Sequence, residues 1–274
     1  MKRYIRNKSI YCGVQWDNKG YPVFNYNSDE ADSDIIFLHE TTSGSYNDDG
    51  VRYIYGYRYN PQSRNDERKN FRNYIKNAPQ NLRHLDDVME FIDNGVNSIE
   101  NYARFADFGV LTYVKPSNKD ALVNKIKYNL LDKIDCGCIN LELIKRLCKD
   151  VKLNLEKIEM ILRKAKNRNS RKLYSEDEIE DILHNIEQTY DKMVSNGSVF
   201  TMKRFVPRCI RDSFEDFLIF KTEDDRDLYE SLQGVDVLLI DDFMTSGTTV
   251  KDAIRCLRSV HDKNRLTVFV LVKQ

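Results

Sequence analysis

The sequence predicts an α/β protein with a parallel sheet, and three observations carry that expectation. Residues 237–240 (Val-Leu-Leu-Ile) are apolar at every position, the pattern of a strand buried on both faces. A helical pattern follows within ten residues, with Val250, Ile254 and Leu257 on one face and Ala253 beside them. Residues 267–272 (TVFVLV) then repeat the apolar run. A strand, a helix and a second strand in this order form the unit from which parallel sheets are built.

Earlier elements follow from local pattern. Residues 9–16 (SIYCGVQW), 34–39 (DIIFLH) and 51–59 (VRYIYGYRY) are rich in aromatic and β-branched residues between polar turns, and Asp48-Asp49-Gly50 marks the turn before the third. The Tyr/Arg alternation of 52–59 has two readings, a stacking surface for nucleic acid or one half-buried strand face, and the second is favoured. Residues 66–104 turn helical. Phe71, Tyr74 and Ile75 form one segment and Leu82, Leu85, Val88, Met89 and Ile92 another, with Ala78-Pro79 between them and a break expected at Asn94-Gly95. Residues 108–114 (FGVLTYV) predict a strand, and Leu122, Ile126, Leu130 and Ile134, spaced by four, a helix after it.

Residues 139–195 are the most helical part, with Asn140 and Asn154 as expected N-caps and a capping box at Ser175–Glu178. The basic run 163–172 within it is read as a helix end and linker in solvent. Residues 199–206 and 214–220 read as strands, and 223–230 as a loop and short helix. By this reading 1–104 is a β-rich then helical region, a hood or partner surface, and 105–274 is the core, with a helical insertion at about 139–195.

The chemistry concentrates just after the 237–240 run. Asp241 and Asp242 follow it, then Thr245-Ser246-Gly247-Thr248-Thr249, then the helix. A loop that opens a helix presents unpaired N–H groups and the positive end of the helix dipole, so it favours an anion. Gly247 allows close backbone approach, and the hydroxyls can donate to phosphate oxygens. The two carboxylates would repel a phosphate beside them but accept well from sugar hydroxyls. The pattern therefore points to a sugar phosphate, with ligands of open α/β sheets found at the carboxyl ends of strands.

This stretch resembles the phosphoribosyl-pyrophosphate (PRPP) motif of type I phosphoribosyltransferases, and is closest in flavour to ComF-like members. Asp241 and Asp242 match the acidic pair, and Thr245, Ser246, Gly247 and Thr249 match the loop, with Ser246 where the motif has Thr. The match covers about forty residues. It implies a parallel Rossmann-like phosphoribosyltransferase core carrying a helical insertion and an N-terminal extension. It also implies binding of PRPP or a nucleoside 5′-phosphate, with the 5′-phosphate on Thr245–Thr249, including Thr248, and the ribose on Asp241 and Asp242 as the catalytic acids. Mg2+ would arrive with PRPP, with no protein metal ligand assigned. Pyrophosphate candidates are Lys115, Ser117 and Lys119, which follow the 108–114 strand, and Arg211; a plain strand-to-helix turn explains the 115–119 loop equally well. Lys203 is a looser match in the same segment as Arg211. Three functions stay open: a phosphoribosyltransferase, which is favoured; a PRPP or nucleotide sensor, as in DNA uptake or anti-phage defence; and an interaction protein on the same fold.

Composition bounds the alternatives. Lys plus Arg is 43 and Asp plus Glu is 43 in 274 residues, so the net charge of zero argues against general affinity for nucleic acid while leaving room for a local basic patch. No apolar run is long enough to span a bilayer, and residues 1–8 are basic without the apolar core of a signal peptide, so a cytoplasmic protein, with a homo-oligomer allowed, is expected. Cys136-Gly-Cys138 has the wrong spacing for a zinc knuckle, and His39, His84, His184 and His261 stand in unrelated contexts.

Overall fold

The computed structural model describes residues 11–26, 35–38, 50–59, 63–77, 85–116, 121–134, 137–167, 172–202 and 205–273. Two compact units are present: residues 1–142, 230–245 and 263–274 form the first, and 143–229 with 246–262 form the second. The N-terminal β-rich region is therefore part of the same unit as the strands around residue 240.

The first unit contains β1 (Tyr11–Trp16), β2 (Pro22–Asn25), β3 (Ile35–Leu38), β4 (Val51–Tyr59), β5 (Phe108–Val114), β8 (Asp236–Met244) and β9 (Arg265–Lys273). They form a mixed sheet in the order β2-β1-β3-β4-β9-β8-β5. Its centre is parallel, β4 to β9, β9 to β8 and β8 to β5, and β1, β2 and β3 add antiparallel pairs at one edge. The fold is α/β, as expected. Helices α1 (Asn65–Asn77), α2 (Leu85–Asn97) and α3 (Leu122–Leu131) share one core with the sheet. Phe71 and Ile75 of α1, Phe91 and Ile92 of α2, and Ile126 and Leu130 of α3 are fully buried there with Leu238, Ile240 and Phe269.

The second unit holds β6 (Ile139–Lys145, which begins in the first unit), β7 (Leu218–Phe220), α4 (Leu155–Leu162), α5 (Glu176–Ser195), α6 (Glu223–Ser231, which ends in the first unit) and α7 (Thr248–Arg258). β6 and β7 pair antiparallel, Leu143 with Phe220. Asn154 caps α4 through Lys157 N–H, and Ser175 and Glu178 cap α5 reciprocally.

Several expectations are corrected. Residues 139–145 form a strand, so Asn140 is not an N-cap; alternation of Ile139, Leu141 and Leu143 at period two outweighs the cap residue. Among the described residues of 199–206 one bridge, Leu147 to Val199, stands in place of a strand, and 214–220 is a strand only from Leu218. Phe200, Phe214 and Phe217 gather instead into one aromatic cluster, with Phe200 5.3 Å and 5.7 Å from the other two rings. Asp216 bends at φ 55°, and the buried Asp252 carboxylate accepts the N–H groups of Asp216, Phe217 and Leu218. β4 is buried on both faces except at Tyr53 and Arg58; Arg52 is only 7% exposed and bonds Thr267 and the Tyr102 carbonyl. Ala78-Pro79 and Leu82 lie outside the described residues, as do His39, His84 and Cys136. Among the described residues no helix is long and apolar enough to cross a membrane.

Asn94-Gly95 does not break α2, which runs to Asn97. Gly95 is there for close approach. A Cβ on it would stand 2.8 Å from Tyr57 Cε2 and 2.6 Å from Leu271 Cδ1, and Gly56 of β4 faces it with its own Cβ position 3.1 Å from Gly95 Cα. The Tyr57 ring cannot yield, because it stacks on Phe91 at 4.2 Å and its hydroxyl donates to the Phe91 carbonyl at 2.9 Å. Gly95→Ala is therefore expected to destabilise by roughly 1–3 kcal/mol, although alanine is the better helix former. Urea unfolding of the two proteins reads this directly, and an unchanged or raised midpoint would contradict it.

Candidate functional site

β8 is the strand that aims the acids. Val237 to Ile240 are at most 1% exposed, because β9 and β5 flank the strand and alternate residues fill both of its faces. The strand does not stop at the acids, as the sequence suggested; pairing with β9 continues through Asp241 opposite Val270 and Phe243 opposite Val272 to Met244. Alternation sends Leu238 and Ile240 into the core shared with α1–α3, and at the strand end both Asp242 and the Phe243 ring meet α1. Asp241 belongs to the alternate set with Val237 and Leu239.

Asp242 meets a cation that the sequence analysis did not single out. Lys76 of α1 donates to and ion-pairs with its Oδ2. Lys76 and Arg72 also lie over the Phe243 ring, with the ammonium 5.4 Å and the guanidinium carbon 5.6 Å from its centroid. The sequence places them four apart, one position past the buried Phe71 and Ile75, so both sit on the same side of α1. The two acids are also tied through the backbone: Asp241 Oδ1 accepts the Asp242 N–H at 2.9 Å, and Asp242 Oδ1 accepts the Phe243 N–H at 2.6 Å.

Burial pushes the Asp241 carboxyl up to about 7, and the adjacent Asp242 charge adds to the effect; the Asp242 N–H, Lys76 and Arg72 pull the other way. Lys115 stands just past β5. Tyr113 pairs with Ile240, so continuing that register by two residues sets Lys115 level with Asp242. Its ammonium is half-exposed and 3.9 Å from Glu142, whose other oxygen accepts the Tyr113 hydroxyl at 2.5 Å. Ser117, Lys119 and Lys203 lie outside the described residues.

The loop that completes the motif passes from one unit to the other: Thr245 ends the first, and Ser246 begins the second. Gly247 is left-handed, φ 75° and ψ 4°, which a glycine adopts without steric cost, and it starts α7 with no side chain capping the helix. The Thr248 hydroxyl is 2.9 Å from that of Ser246 and donates to Asp212 at 2.7 Å; Lys251 pairs with the other Asp212 oxygen. Burial alone would raise the Asp212 carboxyl, but Lys251 and Thr248 outweigh it and hold it below the usual range. The buried Thr248 hydroxyl thus anchors the 3-10 turn Arg208–Ser213 to the start of α7. Arg211, in that same turn, directs its Nε to the Val206 carbonyl at 3.2 Å.

The first unit also has a cavity of about 440 Å³ lined by Arg52, Tyr102, Asp107, Asp236 and Arg265. It opens at the amino ends of the strands, where Arg265 grips Asp236 with two bonds of 2.6 Å and 2.7 Å. The acids lie at the carboxyl ends, the side where open α/β sheets bind ligands. Among the described residues no group of three or more His, Cys, Asp or Glu could hold a metal ion. No family model matches this chain, and no curated protein matches it.

The Asp241 environment has a consequence for stability. Its proton is held more tightly in the folded than in the unfolded chain, so this carboxyl lowers stability as pH rises from about 4 to about 7 and adds nothing further above that. Asp241→Asn keeps the Oδ1 acceptor and removes the ionisation. The variant is expected to gain on the order of 1–3 kcal/mol over the native protein near pH 8, with the difference vanishing near pH 4. Denaturant melts at both pH values check this; a difference independent of pH would contradict it.

Proposed function

We propose that this chain binds PRPP or a nucleoside 5′-phosphate through Asp241–Thr249 and transfers the phosphoribosyl group, as a type I phosphoribosyltransferase does. The observation that carries the reading is the acid pair at the carboxyl end of a buried parallel strand, followed within five residues by a left-handed glycine and an uncapped helix start. Asp241 and Asp242 accept the ribose hydroxyls. The N–H groups at the start of α7 take the 5′-phosphate, with Thr245 and Thr249 as hydroxyl donors beside them.

Transfer from PRPP to a nitrogen nucleophile breaks the bond between ribose C1 and the diphosphate and forms the bond from C1 to nitrogen. Positive charge develops on the ribose as the diphosphate leaves, and an ionised carboxylate nearby stabilises it. With its carboxyl poised near neutrality, Asp241 supplies that charge increasingly as pH rises through 7. Lys115, level with the acids on the neighbouring strand, suits the departing diphosphate. Bound magnesium would neutralise diphosphate oxygens and, as an ion that keeps most of its water, would arrive with the ligand.

A second reading, a sensor that binds without transfer, draws on Asp212. Its carboxylate holds Thr248 and Lys251 at the start of α7, and a fixed negative charge there opposes a phosphate.

Calorimetry with PRPP and magnesium is expected to give saturable one-to-one heat, weakened at least about tenfold by Asp241→Asn/Asp242→Asn, as loss of hydrogen bonds to charged acceptors requires. Absence of heat with the native protein would contradict both readings. Pyrophosphate release with one of a panel of nucleobases and amines supports the transferase; binding with no release across the panel supports the sensor.

A further inference from the structure

We infer that Arg72 and Lys76 of α1 are the diphosphate-binding arm of the site, and that Lys76 exchanges Asp242 for a ligand phosphate when the site fills. The inference rests on the PRPP reading and names the part of the ligand that the PRPP motif itself leaves unaccounted for.

Geometry carries it. The two cations are fixed at the strand end by their own helix, whose Phe71 and Ile75 are fully buried, and by the Phe243 ring beneath them, itself 5% exposed. Arg72 lies over the Phe243 ring, and its guanidinium is the planar fork that matches phosphate oxygens. Lys76 is tied to Asp242, but that pair is partly exposed, 29% and 17% at the side chains, and such a pair is exchanged at small cost.

Ligand chemistry then fixes which phosphate they meet. The diphosphate of PRPP is on the face of the ring that carries the 2- and 3-hydroxyls, and C5 with its phosphate is on the opposite face. If Asp241 and Asp242 hold the ribose hydroxyls, the diphosphate lies beside the acids, and the 5′-phosphate lies at the other end of the sugar. Lys76, paired with Asp242, and Arg72, over the neighbouring Phe243 ring, are in the right place for the first group and not for the second. Binding would also release Asp242 from Lys76 to accept a hydroxyl, so one exchange readies the acid and clamps the leaving group. No covalent step is assigned to either residue.

Arg72→Gln/Lys76→Gln tests this in the full chain, with PRPP, ribose 5-phosphate and free pyrophosphate as the probes, each with magnesium. The native protein is expected to prefer PRPP over ribose 5-phosphate. The double variant should lose about tenfold or more in PRPP affinity, the loss expected when charge-assisted bonds are removed, and keep its ribose 5-phosphate affinity. Arg72→Lys/Lys76→Arg, which keeps both charges, should restore most of the preference, and a native-like melting curve for each variant separates this loss from misfolding. Pyrophosphate alone binding the native protein and not the Gln variant adds support. An unchanged PRPP preference in the Gln variant overturns the inference while the PRPP reading stands. An equal loss for PRPP and ribose 5-phosphate overturns it in favour of a role in positioning the acids. A native protein that binds neither sugar phosphate overturns both.

Discussion

The arrangement depends on one electrostatic constraint: two adjacent carboxylates at the end of a strand whose preceding four residues are at most 1% exposed. Removing a carboxylate from water is costly unless charge or hydrogen bonds compensate it. Here the compensation is uneven. Asp242 receives a lysine, and Asp241 receives a backbone N–H and more distant positive charge, so its proton is retained up to about pH 7. The positions of α1 and β5 gain meaning from this, since each brings basic side chains to the level of the acids. A strand end that carried apolar residues instead would need neither.

The second unit solves a parallel problem with the opposite sign. The start of α7 has N–H groups without a side-chain cap, and its first turn is steadied by Asp212 through Thr248 and Lys251. One turn further on, Asp252 is buried by spending its oxygens on three N–H groups of the 216–218 bend. Asp212 and Asp252 thus fix the segment before β7 to α7.

What the sequence revealed was local. The run 237–240, the acid pair and the Gly247 turn are contiguous, so period and residue type were enough to place a strand, its end and a helix start. The caps at Asn154 and Ser175 were legible for the same reason. The pairing of Lys76 with Asp242 was not, because 166 positions separate them and a basic residue beside an apolar helix stripe ordinarily signals a solvated face. The cause of Gly95 lies on another element, the facing Gly56 and Tyr57 of β4, which the local sequence does not show. The strand at 139–145 carries a period-two signal in Ile139, Leu141 and Leu143, against which one asparagine of helix-cap type stands alone. Position-specific chemistry in the site was therefore half visible: the acids and loop by their order, the cations only once the helix was packed on the sheet.

A structure of the chain crystallised with PRPP and magnesium tests the central claim most directly. The account predicts ribose hydroxyls within hydrogen-bond distance of Asp241 and Asp242, the 5′-phosphate on the N–H groups that open α7 after Gly247, and the diphosphate on the α1 side of Asp242. A ligand seated at the amino ends of the strands, in the cavity of Arg52 and Arg265, with the acids and the Gly247 turn untouched, would contradict it.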